Sequence, residues 1–218
     1  MNLHGCFITG TGTGIGKTCF TAWWTRQLRR QKCPALALKP ITCGGRGDAE
    51  TFALANDETL SLNEINPVWL LPPVAPYTAC VIEDKPLDML TVRNTLDRLS
   101  KKFPGPWLIE GIGGWLVPLE KQFWVRDWAF ELGLPVVVVA SAGLGTLNHT
   151  LLTVESIRQS HCPILGLVIN HYNVPEDMAT QTNPAIIEDL TGLPIFNFPK
   201  SPGDLPLPPW LQLSSLNK

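Results

Sequence analysis

The stretch Gly10-Thr11-Gly12-Thr13-Gly14-Ile15-Gly16-Lys17-Thr18 crowds four glycines around a single positive charge. Glycine loses more conformational freedom on ordering than any other residue, so the cluster implies a ligand that approaches the backbone closely. Successive N–H groups at the start of a helix cradle phosphate oxygens. Gly14, Ile15, Gly16, Lys17, Thr18 and Cys19 are therefore candidate nucleotide contacts. Lys17 would act as a point charge on the β- and γ-phosphates, and the Thr18 hydroxyl would ligate magnesium. Five residues separate Gly10 from Gly16, one more than in the common phosphate-loop pattern.

Three more charged residues stand at places where chemistry is possible. Glu110 ends the apolar run Trp107-Leu108-Ile109 and precedes Gly111-Ile112-Gly113-Gly114, a position suited to a metal-facing carboxylate. Asp48 is a candidate second carboxylate, and reads equally well as an N-cap for the residues after it. Lys39 follows four apolar residues and precedes a proline. It is either a charge that ends a strand or a cation for an anionic group on a second substrate.

The elements that must position these groups alternate. Apolar runs at 5–9, 35–40, 107–111, 135–140, 164–170 and 193–199 predict strands. Helices are predicted at 17–31, 87–103, 126–133, 146–160 and near 184–190, with Leu90, Leu96 and Leu99 among the apolar positions of the second. Strands apolar on both faces and separated by helices predict a mostly parallel sheet covered on both sides, an α/β domain, and the glycine loop with Lys17-Thr18 between its first strand and helix points to the P-loop NTPase fold. Ligands of such sheets bind outside the carboxyl ends of the strands. The glycine loop, Lys39, Glu110 and Asn170 each follow a strand and should converge there. One domain is expected over 1–218, with a proline-rich extended surface segment from about residue 200.

Bulk composition narrows the field. With 17 basic and 19 acidic residues the net charge is −2, which argues against a nucleic-acid footprint or a polybasic membrane patch. Six scattered cysteines without CxxC spacing argue against zinc or a disulfide framework. The start lacks a signal-peptide pattern, and the longest apolar run is too short to span a bilayer, so a cytoplasmic protein is expected.

The blocks GTGTGIGKT, LKPI, GDAE, IEGIGGWLVPL, GLGTLNHTLLT and VIN, in that order, resemble those of the dethiobiotin synthetase family over residues 5–199. The resemblance covers the long-spaced loop as well. It implies a magnesium- and ATP-dependent ligase that carboxylates 7,8-diaminopelargonic acid with CO2 (or bicarbonate as its source) and closes a cyclic urea. A carbamate and a carbamic–phosphoric anhydride are the implied intermediates, with ADP and phosphate released. By resemblance, Lys39 holds the carbamate and γ-phosphate, Lys17 stabilises the transferring phosphoryl, and Thr18, Asp48 and Glu110 hold magnesium. Thr13, Gly111, Ile112, Gly113 and Gly114 line the site, while Asn170 and the Pro199 region contact adenine. A homodimer is implied, with Thr146, Leu147 and Asn148 of the neighbouring subunit receiving the substrate carboxylate. Cys43 stands where the family commonly carries a serine near the substrate, Gly12 where an Asp is common, and His171 where an acidic residue is frequent.

The rival reading within the fold is a septum-positioning or partition ATPase, a switch for protein partners. Those proteins usually carry a lysine early in the loop, where this chain has Thr11. A non-catalytic nucleotide-binding module would keep the loop and Glu110 but have no use for Lys39.

Overall fold

The computed structural model describes residues 3–172 and 174–213. The chain opens with strand β1 (Gly5–Gly10) and helix α1 (Lys17–Arg30), then β2 (Leu36–Leu38) and β3 (Ile41–Cys43). Helices α2 (Gly47–Ala55) and α3 (Leu62–Ile65) lead to β4 (Val68–Leu70), α4 (Pro76–Glu83) and α5 (Met89–Lys102). Next come β5 (Trp107–Glu110), β6 (Pro118–Glu120), β7 (Phe123–Trp124) and α6 (Val125–Leu132). The last elements are β8 (Val136–Ser141), α7 (Thr146–Gln159), β9 (Ile164–Asn170), α8 (Met178–Thr191) and β10 (Ile195–Phe198).

Six strands form one sheet in the order β10-β9-β8-β1-β5-β2, and all of its pairings are parallel. The reason lies in the runs themselves. All six residues of β1 and the four valines of β8 are buried, which only a sheet covered on both faces allows. β-Branched valine also fits the pleated backbone well. The predicted α/β class holds. Strand β1 lies at the centre, between β5 (Ile8 beside Glu110) and β8 (Gly10 beside Val139). The loop after β1 therefore opens at the middle of the sheet's carboxyl edge.

Three features depart from the sequence reading. In α5 the buried face is Met89, Val92, Leu96 and Leu99, whereas Leu90 is 67 % exposed. Counting back from Leu96 by four and then three residues reaches Val92 and Met89, so a 3.6-residue period turns Leu90 outward. Residues 41–83 build a second small parallel sheet, β3 with β4, carrying α2, α3 and α4. Short strands paired across such a gap leave little local pattern. The segment after residue 200 is docked rather than merely laid on the surface. Trp23 Nε1 and Gln27 Nε2 donate to Gly203 O at 3.0 and 3.1 Å, and Trp24 Nε1 donates to Leu211 O at 2.8 Å. Leu207, Leu211 and Leu213 are buried against the core, so the prolines space a set of apolar anchors along α1. The rest of the predicted segment, 214–218, lies outside the described residues. Among the described residues no helix is long and apolar enough to cross a membrane.

Candidate active site

The glycine loop is shaped by two left-handed residues, Gly14 (φ 73°) and Gly16 (φ 87°), where a side chain would be strained. Gly16 has a second reason to lack a Cβ: such an atom would lie 2.0 Å from Asn170 Nδ2. Asn170 Nδ2 donates to Ile15 O at 2.8 Å, and its Oδ1 accepts from Tyr172 N at 3.0 Å. This ties the end of β9 to the loop. Among the described residues, the loop amides of 12–16 donate to no group of the chain. They precede the first turn of α1, so N–H groups without an acceptor adjoin the positive end of a helix, the makings of an anion site.

Around the loop lies a cleft of about 850 Å³. Gly14, Ile15, Gly16, Lys17, Thr18, Cys19, Thr13, Lys39, Cys43, Asp48, Glu110, Ile112, Gly113 and Asn170 all line it. These residues come from four separate stretches of the chain, meeting at the sheet edge.

At the centre is Glu110, 1 % exposed. Its Oε1 accepts from Lys39 Nζ at 2.5 Å and from Thr18 Oγ1 at 2.9 Å. Lys39 Nζ also donates to Gly111 O at 3.0 Å and lies 3.0 Å from Asp48 Oδ2. Lys17 Nζ instead donates to Gly12 O at 2.8 Å. Asp48 sits within the first turn of α2, while Arg46 occupies the cap position, so Asp48 is free of the capping role.

Charge states follow from these contacts. Burial pulls Lys17 down to about 8, because Glu110 and Asp48 only partly offset the desolvation and Lys39 adds like-charge repulsion. Lys39 is buried more deeply, yet the adjacent Glu110 and Asp48 outweigh that burial and raise it above the ordinary lysine value. Burial pushes the Asp48 carboxyl up, but the Lys39 charge and hydrogen bond, with help from Thr18 and Lys17, hold it below the usual range. At neutral pH Lys39 is thus a fixed cation and Asp48 an anion.

The donor set suits a hard divalent cation such as magnesium. Thr18 supplies a hydroxyl, Asp48 a half-exposed carboxylate, and Glu110 a buried Oε2 without a hydrogen-bond partner among the described residues. An orphaned carboxylate oxygen deep in a phosphate-type cleft is expected to meet a cation or its water.

Other predicted residues do not line the cleft. Gly111 is joined to Lys39 as above, and Gly114 packs against Gly10 O and Gly12, where a Cβ would meet the Gly10 carbonyl oxygen at 3.3 Å. Pro199 follows Phe198, which pairs with Asn170 in the sheet. Thr146, Leu147 and Asn148 form the first turn of α7, with Thr146 buried against Thr150 (Oγ1···Oγ1 3.3 Å) and Asn148 exposed. The sequence reading missed Thr42, the 73–76 wall (Pro73, Val74, Ala75, Pro76), Val117, Ser141, Tyr172 and Val174, all of which line the cleft. The prolines of that wall were the available signal of a shaped loop.

Cys43 faces the cleft from the end of β3, and burial, with Cys80 and Glu83 nearby, pushes its thiol up to about 11. It stays a neutral, weak donor at physiological pH.

The family model described as "AAA domain" matches residues 4–198. An ATP-dependent dethiobiotin synthetase BioD of Endomicrobium trichonymphae is 34 % identical over 88 % of this chain and 90 % of its own length. The protein of that name from Aquifex aeolicus is 36 % identical over 88 % and 87 %. Among solved structures, a MinD septum site-determining protein of Pyrococcus horikoshii complexed with Mg-ADP superposes with a TM-score of 0.57 at 15 % identity, covering 92 % of this chain and 82 % of that one. A ParA family ATPase of Chlorobium tepidum gives 0.53 at 16 %, covering 91 % and 84 %. At such identity these structures share the fold alone.

Proposed function

The chain belongs to the ATP-dependent dethiobiotin synthetase family, a ligase family that forms C–N bonds, and from that premise we propose how the cleft carries out the reaction. The substrates are ATP, CO2 (or bicarbonate as its source) and 7,8-diaminopelargonic acid, and the products are dethiobiotin, ADP and phosphate. An amine of the diamine adds to CO2 and loses a proton, giving a carbamate. A carbamate oxygen attacks the γ-phosphorus and ADP leaves. The second amine then adds to the carbamoyl carbon, phosphate leaves, and the cyclic urea closes.

The observation that carries this reading is the position of Lys39, which is held beside Glu110 and Asp48 in the cleft that the phosphate loop opens into. A bare nucleotide switch needs no second buried lysine there. Lys39 is a cation and not a base, so its work is electrostatic: it holds the carbamate and the γ-phosphate together as charge moves between them. Lys17 and the loop amides fix the phosphates in line, since phosphoryl transfer depends on positioning and charge neutralisation more than on covalent help. Thr18, Asp48 and Glu110 would hold magnesium, which when bound neutralises phosphate oxygens as a Lewis acid. Asn170 spends one N–H on Ile15 O and one lone pair on Tyr172 N, and keeps one of each for the edge of a purine. The protein works as a homodimer, in which Asn148 at the start of α7 meets the substrate's carboxylate from the neighbouring subunit.

The test is ADP release from ATP and magnesium, with the diamine and bicarbonate added singly and together. Release should require both, with a product of the mass of dethiobiotin. ATP turnover indifferent to the diamine would sink the reading and favour a partner-binding switch.

A further inference from the structure

Asn66 stands between α3 and β4, is 2 % exposed, and belongs to no motif of the sequence reading. Its side-chain amide is fully used. Nδ2 donates to Lys39 O at 3.0 Å and to Val68 O at 2.9 Å. Oδ1 accepts from Thr42 Oγ1 and from Arg46 Nε, both at 2.9 Å. An amide with four partners holds its surroundings in one arrangement, because moving any of them leaves a buried polar group unpaired.

Two of those partners lead directly to the site. Lys39 is fixed through its carbonyl by Asn66 and through its N–H by Ile65 O at 3.1 Å. Arg46 immediately precedes α2, whose first turn carries Asp48. Beyond Asn66 Oδ1, the guanidinium donates to Leu62 O and Asn66 O at 3.0 Å and to Asn63 Oδ1 at 3.1 Å, and its carbon lies 5.5 Å from the centre of the Trp69 ring. The backbone of Lys39 and the residue that starts the Asp48 helix thus share one side-chain partner, Asn66. The phosphate loop shares none of these contacts; Asn170 donates to Ile15 O, Thr11 N donates to Val139 O of β8 at 3.1 Å, and Lys17 donates to Gly12 O.

We propose that Asn66 and Arg46 are positioning residues for carbamate phosphorylation, a strut that sets Lys39 and Asp48 in register with Glu110, while the main hold on the nucleotide stays with the phosphate loop. The inference rests on the functional reading above. Displacing a reacting group by about 1 Å costs on the order of 100-fold in rate, which is the scale expected here.

The experiment compares the full chain with Asn66→Ala, Arg46→Met and Arg46→Lys. Diamine-dependent kcat, KM for ATP, the dissociation constant of ADP and amide hydrogen exchange are measured for each. Asn66→Ala should lose about 100-fold in kcat and Arg46→Met about 10-fold, with ADP affinity kept within about twofold. Arg46→Lys should fall with Arg46→Met, because an ammonium keeps the charge but cannot reproduce the fork. Exchange should quicken across residues 39–48 and stay unchanged across 10–18. If Asn66→Ala does not fold, the Arg46 pair decides. A kcat within twofold of wild type, or a loss shared equally by ADP affinity, overturns the strut. If the wild type itself shows no diamine dependence, the functional reading has failed. The exchange data then still judge the strut, which falls if residues 39–48 exchange as in the wild type.

Discussion

Lys17 and Lys39 are the same residue type, both buried in one cleft, and the fold treats them oppositely. Lys17 rests on a single carbonyl, and desolvation lowers it to about 8. Lys39 touches two carboxylates and is raised. In the proposed reaction the first is a charge held at a cost until the phosphates arrive. The second is already neutralised and is part of the frame. The difference separates a lysine that binds from one that also holds the site together.

The largest effect should come from Lys39→Met, with a loss of about a thousandfold in diamine-dependent turnover while ADP still binds, because one preorganised charge is removed from the transferring group. Steady-state kinetics beside ADP titration would read this. Equal losses in both would erase the contrast. The same substitution leaves Glu110 buried without its cation and should destabilise the protein by about 3–5 kcal/mol in urea unfolding. Adding Glu110→Gln should recover most of that stability and none of the activity.

The pH dependence sharpens the comparison further. Lys17 is depressed on folding, so the unfolded chain binds more protons between pH 8 and 10.5, and stability rises with pH across that window. Lys39 is raised, so its contribution is constant below 10.5 and is lost only as pH climbs through its folded value. Between pH 7 and 9.5 the wild type should therefore gain about 2 kcal/mol on Lys17→Met, and a gap that stays flat would remove the distinction.

The smallest effect belongs to Cys43→Ser, beside the lysines rather than among them. KM for the diamine should shift by less than about threefold with kcat unchanged, the size expected of one weak hydrogen bond exchanged for a better one. Iodoacetamide should label the native thiol slowly at pH 8, since it is raised to about 11.

Part of this site was readable from the chain alone. The loop, Lys17 and Thr18 are contiguous, and the strand before and helix after them are local patterns. Glu110 was legible because it ends an apolar strand. The closeness of Lys39 and Asp48 was implied only by the family resemblance and not by any local pattern, because residues 41–70 fold back through the pairing of β3 with β4, a non-local event with three residues a side. Asn66 looked like an ordinary polar residue before a proline. The docking of residues 203–213 on α1 was hidden by their composition, since prolines at the surface and prolines spacing buried leucines read alike.

The first strand to leave the N-terminal end of the chain becomes the middle of the sheet, and each of its neighbours is encoded more than a hundred residues later. Pairing at such separations is entropically slow, whereas α1 and α5 can form from near neighbours. On dilution from urea, helical circular dichroism should therefore return well before the protein can retain ADP. Competence to bind a phosphate chain becomes a late reporter of renaturation.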